Sequence, residues 1–216
     1  MLRDIEIKNF RGINFFKIYN FKKINLFVGN NNCGKTSLLE ALFLLIGASN
    51  PDLIIRVNAF REILKIDSGF WLSLFPKLSA QGLPVISGNF LFPKEKRTLT
   101  LRPIRGPQPN TTPNQKGKKS ISSSGIAKTE IETTGLNLEF KQTKGSKSKK
   151  QKIIKTSIRF QQGEFQAQFV NDYTENRRAI FQNNRTIHSD MAKRFDTILL
   201  SKKTPELVSI LKKFDP

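Results

Sequence analysis

The chain has 216 residues, a formal net charge of +20 and one cysteine, Cys33. That length can bury a real core without covalent help, and a lone cysteine excludes any disulfide within the chain. No secretory pattern is visible and no apolar run approaches the roughly 18 residues of a membrane span, so a cytoplasmic protein with no membrane partner is expected. The excess of Lys and Arg suits a polyanionic partner such as DNA or RNA, although a chain so rich in Lys, Asn, Ile and Phe can also reflect an AT-rich genome.

Taken in chain order, Leu2 to Phe10 alternates Ile5 and Ile7 with Asp4, Glu6 and Lys8, which predicts a strand. Asn9-Phe10-Arg11-Gly12 is a turn, and Ile13 to Ile18 a second strand. Ile24 to Val28 is a short apolar run ending at a glycine, which predicts a buried strand. Thr36 to Ile46, TSLLEALFLLI, is rich in helix formers. Its second half is apolar on every face, so it should be buried, with Gly47 as a left-handed cap. Another helix is expected from Asn50 as N-cap, with Pro51 at its first position, to about Leu64. Phe70, Trp71 and Phe75 read as core.

From Leu83 to Val170 the pattern becomes an antiparallel meander, with strand-like runs at Leu83–Phe92, Thr98–Ile104, Leu136–Gln142, Ile153–Phe160 and Glu164–Val170. Two low-complexity stretches, 106–125 and 141–152, read as mobile loops. Residues 94–155 hold 16 Lys or Arg against 4 Glu, more than half of the net charge. Asp190–Leu200 and Pro205–Phe214 read as helices, the second with Thr204 as N-cap.

One motif carries chemistry. Gly29-Asn30-Asn31-Asn32-Cys33-Gly34-Lys35-Thr36 fits G-x-x-x-x-G-K-[ST], with an apolar run before it and a strong helix after it. Gly29 lets the chain turn sharply. Gly34 leaves room for a phosphate against the backbone. The loop N–H groups form an anion nest at the positive end of the helix dipole. Lys35 is the expected partner of the β- and γ-phosphates, Thr36 offers its hydroxyl to Mg²⁺, and Ser37 can reach the α-phosphate. The expected ligand is therefore ATP or another nucleoside triphosphate with Mg²⁺. A thiol at Cys33 lies where alkylation would block that ligand.

The runs LRDIEIKNFRGI and KINLFVGNNNCGKTSLLEALFLL, followed by SNPDLIIRVNAFR, resemble the N-terminal part of the ABC-type ATPases related to RecF, SMC and the OLD family, and most of all the small bacterial AAA-type ATPases of that clan. The resemblance covers roughly residues 1–65. It implies an α/β P-loop fold, ATP rather than GTP, and a dimer that sandwiches ATP. It also implies that Arg11 lies near the nucleotide and contacts a phosphate or the ribose, against an exposed turn arginine as the alternative.

The same resemblance implies elements that do not turn up. No apolar strand ending in Asp-Glu is present: Ile63–Asp67 is interrupted by Lys65 and followed by Ser68, and Leu207–Asp215 reads as helix. Ser122-Ser123-Ser124-Gly125 imitates a signature loop but sits in a lysine-rich linker, and His188 reads as a surface or capping residue. The expectation is an incomplete ABC-type ATPase. Residues 1–82 would form a nucleotide-binding lobe, 83–170 an antiparallel β insertion, and 171–216 a helical segment leading toward a missing half that another chain could supply. Its catalytic residues are unknown. The competing expectation is a nucleic-acid-binding module using residues 94–155, with a remnant P-loop. A P-loop kinase or GTPase is disfavoured, because no N-K-x-D motif is present.

Overall fold

The computed structural model describes residues 1–106, 132–145, 151–182, 196–197, 199–201 and 204–211. They fall into two compact units, Met1–Ala179 and Ile180–Pro216. In the first unit, strands β1 (Leu2–Phe10), β2 (Ile13–Ile18), β3 (Val85–Phe90), β4 (Glu95–Arg105), β5 (Thr133–Lys144), β6 (Gln151–Gln161) and β7 (Glu164–Gln168) form one sheet. Its order is β2-β1-β3-β4-β5-β6-β7 and the pairings are antiparallel. Helices α1 (Lys35–Ile46), α2 (Leu53–Ala59) and α3 (Ser68–Leu72) belong to the same unit. The second unit contains α4 (Thr204–Leu211).

The two-residue alternation in the strands decides which face is covered. Register places Ile7, Ile86, Leu99, Phe140 and Ile154 in one row across five strands, all of them buried. Helix α1 lies on that face with Ala41, Leu44 and Leu45 enclosed. The leucines each contribute on the order of 1.5–3 kcal/mol by leaving water. Gly88 permits the close approach: a Cβ there would stand 2.8 Å from Leu45 Cδ2 and 3.0 Å from the carbonyl oxygen of Asp4. Phe70, Trp71 and Phe75 are core, as their clustering suggests.

A polar lock ties the end of α1 to the sheet. Buried Arg97 on β4 donates Nε to Glu95 at 2.9 Å and Nη1 to the carbonyl of Ile46 at 2.9 Å, and it forks onto Glu175 at 2.9 and 3.0 Å. Its guanidinium lies between the rings of Phe90 and Phe140. Arg177 and Gln142 complete the shell around Glu95. A positive group at a helix C-terminus also complements the dipole.

Several expectations need correction. Ile24–Val28 is not a buried strand: it has no ladder partner among the described residues, and Ile24, Leu26 and Val28 are 88%, 84% and 80% exposed. Gly47 ends α1 at φ −100°, not in the left-handed region. Helix α2 starts two residues later than expected, with Asp52 at the N-cap, because Asn50 Oδ1 accepts the N–H of Asp52 and forms a turn ahead of the helix. Strands β5 and β6 run into the stretch read as a loop at 141–152. Most of 106–125, all of 146–150, and His188 lie outside the described residues.

Candidate functional site

The loop between β2 and α1 has the backbone its glycines predict. Gly29 and Gly34 adopt φ +155° and +94°, and Asn32 takes a left-handed φ of +64°. A side chain at Gly29 would press on Cys33 Sγ at 3.0 Å. Helix α1 then begins with no side-chain cap and no acidic residue in its first turn. Its first N–H groups, which by helix geometry lack intrahelical acceptors, therefore face an uncompensated positive pole. Lys35 folds over the loop and donates from Nζ to the carbonyls of Gly29 and Asn30 at 2.8 and 2.7 Å.

An open cavity of about 670 Å³ borders this loop, within the usual range for small-ligand sites. Residues 31–37 form one wall, and Arg11, Ile13 and Arg61 border the rest. The hydroxyl of Thr36 lies at the exposed start of the helix, while Ser37 is buried. The structure thus brings Asn31 to Ser37 and Arg11 to one cavity. Gly29 and Asn30 contribute carbonyls to Lys35.

Arg11 borders this cavity and is buried, so it is not an exposed turn arginine. It sits in the β1–β2 turn at φ +52°, a strained value for a side-chain-bearing residue. Its surroundings over-determine that conformation. Its N–H bonds the carbonyl of Leu74 at 2.9 Å. Its guanidinium donates to the carbonyls of Val57 and Ser73 and to Asn58 Oδ1 at 3.1 Å. Arg11 Nε lies 2.6 Å from Glu40 Oε2, an ion pair whose direction is off the line of a hydrogen bond. Burial pulls the Arg11 guanidinium down to about 10, with Glu40 opposing and Arg61 assisting. Most of its donors are therefore committed to the protein itself.

Sequence reasoning missed Glu40, Asn58 and Arg61. Glu40 is fully buried on α1 and faces two arginines, Arg11 through Oε2 and Arg61 through Oε1. Arg61 also donates to Ser37 Oγ at 3.0 Å. One signal was visible: Glu40 is the only charged residue in Thr36–Ile46. Asp67 takes a structural part, its Oδ1 accepting the N–H of Phe70 to cap α3. Among the described residues no three His, Cys, Asp or Glu side chains converge, so a divalent ion would need ligands beyond Thr36.

Residues 1–214 match the AAA ATPase domain family. Three curated proteins align over part of this chain. An uncharacterized protein of Methanocaldococcus jannaschii is 46% identical over 65 residues, 30% of this chain and 29% of its own length. The ATP/GTP phosphatase of Helicobacter pylori is 47% identical over 49 residues, 23% of this chain and 13% of its own. The DNA replication and repair protein RecF of Nitrosococcus oceani is 37% identical over 65 residues, 29% of this chain and 18% of its own. The alignments thus span less than a third of each relative.

Proposed function

This chain belongs to the AAA ATPase domain family, and on that footing we propose that the loop Gly29–Thr36 binds the phosphates of ATP together with Mg²⁺. The observation that carries this reading is an uncapped helix start, with Lys35 held over it by the loop's own carbonyls. A triphosphate offers Lys35 a better partner than two carbonyls, because charge-assisted hydrogen bonds are roughly twice as strong as neutral ones. Lys35 would turn to the β- and γ-phosphates and Ser37 would face the α-phosphate. The N–H groups of Asn31 to Thr36 would line the nest. The donor set fits Mg²⁺ only as a nucleotide-borne ion, with the Thr36 hydroxyl and phosphate oxygens as ligands. Bound there, Mg²⁺ would neutralise charge on the phosphates.

Hydrolysis needs a group that orients water, and no Asp, Glu, Gln or His is among the described residues that line the cavity. We place the nucleotide lobe at residues 1–82, the antiparallel insertion at 83–170 and the helical segment at 171–216. In this reading the lobe belongs to an ABC-type ATPase whose water-activating elements come from outside these 216 residues. The bare apolar run Ile24–Val28 supports it, since an extended segment this apolar is suited to cover by further chain. The test is ATP turnover by the chain alone. Tight binding with negligible turnover is expected; brisk turnover would overturn the division of labour.

A second reading, nucleic-acid binding, is favoured by the sheet. Register puts Lys96, Arg102, Lys141, Lys155 and Arg159 on the face opposite the helices. Of these only Lys141 has an ion-pair partner among the described residues, Glu139.

A further inference from the structure

Arg61 follows the end of α2, yet its guanidinium reaches the wall of the P-loop cavity. Two hydrogen bonds hold it there: Nε to Glu40 Oε1 at 2.7 Å and Nη2 to Ser37 Oγ at 3.0 Å. The backbone beneath it is fixed as well. The carbonyl of Asn58 accepts the N–H groups of Arg61 and Ile63 at 3.0 and 3.1 Å. The buried Asn58 side chain is itself bonded to Arg11, Ser73 and the carbonyl of Phe70. Arg61 is therefore not a free surface arginine that happens to lie nearby.

The charge count at this cluster is unequal. Glu40 is one carboxylate shared by two guanidiniums, those of Arg11 and Arg61. Arg11 is enclosed, whereas the Arg61 side chain is 34% exposed and borders the cavity. One positive charge is thus left over beside a helix N-terminus that no acidic side chain occupies. Two like charges brought together by one buried carboxylate repel each other, and an anion in the cavity would relieve that repulsion.

We propose that Arg61 is a second cationic phosphate-binding residue of this site, held against the P-loop by Glu40 as its positioning residue. The inference rests on the triphosphate reading above. In that reading Ser37 faces the α-phosphate, so Arg61, bonded to Ser37, serves the α-phosphate, which ATP and ADP both carry. Lys35 serves the β- and γ-phosphates. The two cations should therefore differ in what their removal costs.

Isothermal titration of the full chain with ATP·Mg²⁺ and ADP·Mg²⁺ separates them, using wild type, Arg61→Gln and Lys35→Ala. Loss of Arg61 is expected to weaken ATP and ADP by a similar factor, roughly tenfold, while loss of Lys35 weakens ATP more than ADP. Wild-type affinities in Arg61→Gln would overturn the proposal and leave Arg61 a structural strut, visible only as a lowered thermal midpoint. Should Arg61→Gln fail to fold, Arg61→Lys keeps a cation against Glu40 but lacks the fork that reaches Ser37 at the same time. It must lose affinity for both nucleotides, and wild-type affinities there would overturn the proposal equally. Absence of nucleotide binding by the wild type would instead defeat the triphosphate reading, and this inference with it.

Discussion

Cys33 is exposed, lies 3.7 Å from Lys35 Nζ and lines the cavity. A maleimide or acetamide on that sulfur would fill the space meant for phosphate. Alkylation should abolish ATP binding, bound ATP should slow labelling, and Cys33→Ser should make binding resistant to the reagent. Labelling that leaves ATP affinity intact would put the ligand elsewhere. Glu40 makes a sharper point about burial. Replacing it with Gln leaves Arg11 enclosed without a counter-charge, and breaking such a buried pair costs about 3–5 kcal/mol. Chemical denaturation of Glu40→Gln should show a loss of that order. A loss within the scatter of surface substitutions would mean the cluster is solvated.

Among the elements, the meander was legible because its strands alternate cleanly, so Ile86, Leu99, Phe140 and Ile154 declare both period and face. Helix α1 was legible from composition, and the phosphate loop from its glycines. Ile24–Val28 was misread for a physical reason. A short apolar run states that a segment wants cover but not what covers it, and here no described strand does. The bonding of Arg11 was not legible, because its partners lie 46 to 62 residues away in sequence, where no local pattern reaches. The same distance hid the Arg97 lock, whose ligands come from α1 and from Glu175.

The packing of α1 on the sheet gives two tests, one at β3 and one at the Arg97 lock on β4. Gly88→Ala pushes a methyl into Leu45 and the Asp4 carbonyl, and overpacking of this kind costs about 1–3 kcal/mol. The thermal midpoint should fall without loss of the P-loop; an unchanged midpoint would mean the sheet and α1 are further apart than described. The second test uses pH. Burial would raise the Glu95 carboxyl, but the bond from Arg177, the charge of Arg97 and the bond from Gln142 outweigh it and hold it below the usual range. Its stabilising effect is then complete above the unfolded value of about 4.3 and is lost as pH falls through the lower folded value. The stability gap between wild type and Glu95→Gln should be widest near neutrality and should close in acid. A gap independent of pH would contradict the ionised lock.

The molecule as a whole carries +20. One face of its sheet packs against α1 across β1, β3 and β4. The other presents Arg102, Lys155 and Arg159 with no ion-pair partner among the described residues. If that face meets nucleic acid, each neutralised phosphate adds about 0.9 to the slope of log affinity against log salt. Replacing those three residues with Ala should flatten the slope by roughly 2 to 3, and an unchanged slope would remove the sheet face from consideration. ATP affinity should be untouched by the same substitutions, because the loop lies with α1 on the helical side. No helix among the described residues is long and apolar enough to cross a membrane.

The central claim is that the loop at the start of α1 binds a triphosphate, and equilibrium titration with ATP·Mg²⁺ tests it most directly. Wild type should bind saturably at one site per chain, and Lys35→Ala, folded to the same extent by circular dichroism, should bind at least tenfold more weakly. Equal affinity in the two proteins, or no saturable binding by the wild type, would contradict the account.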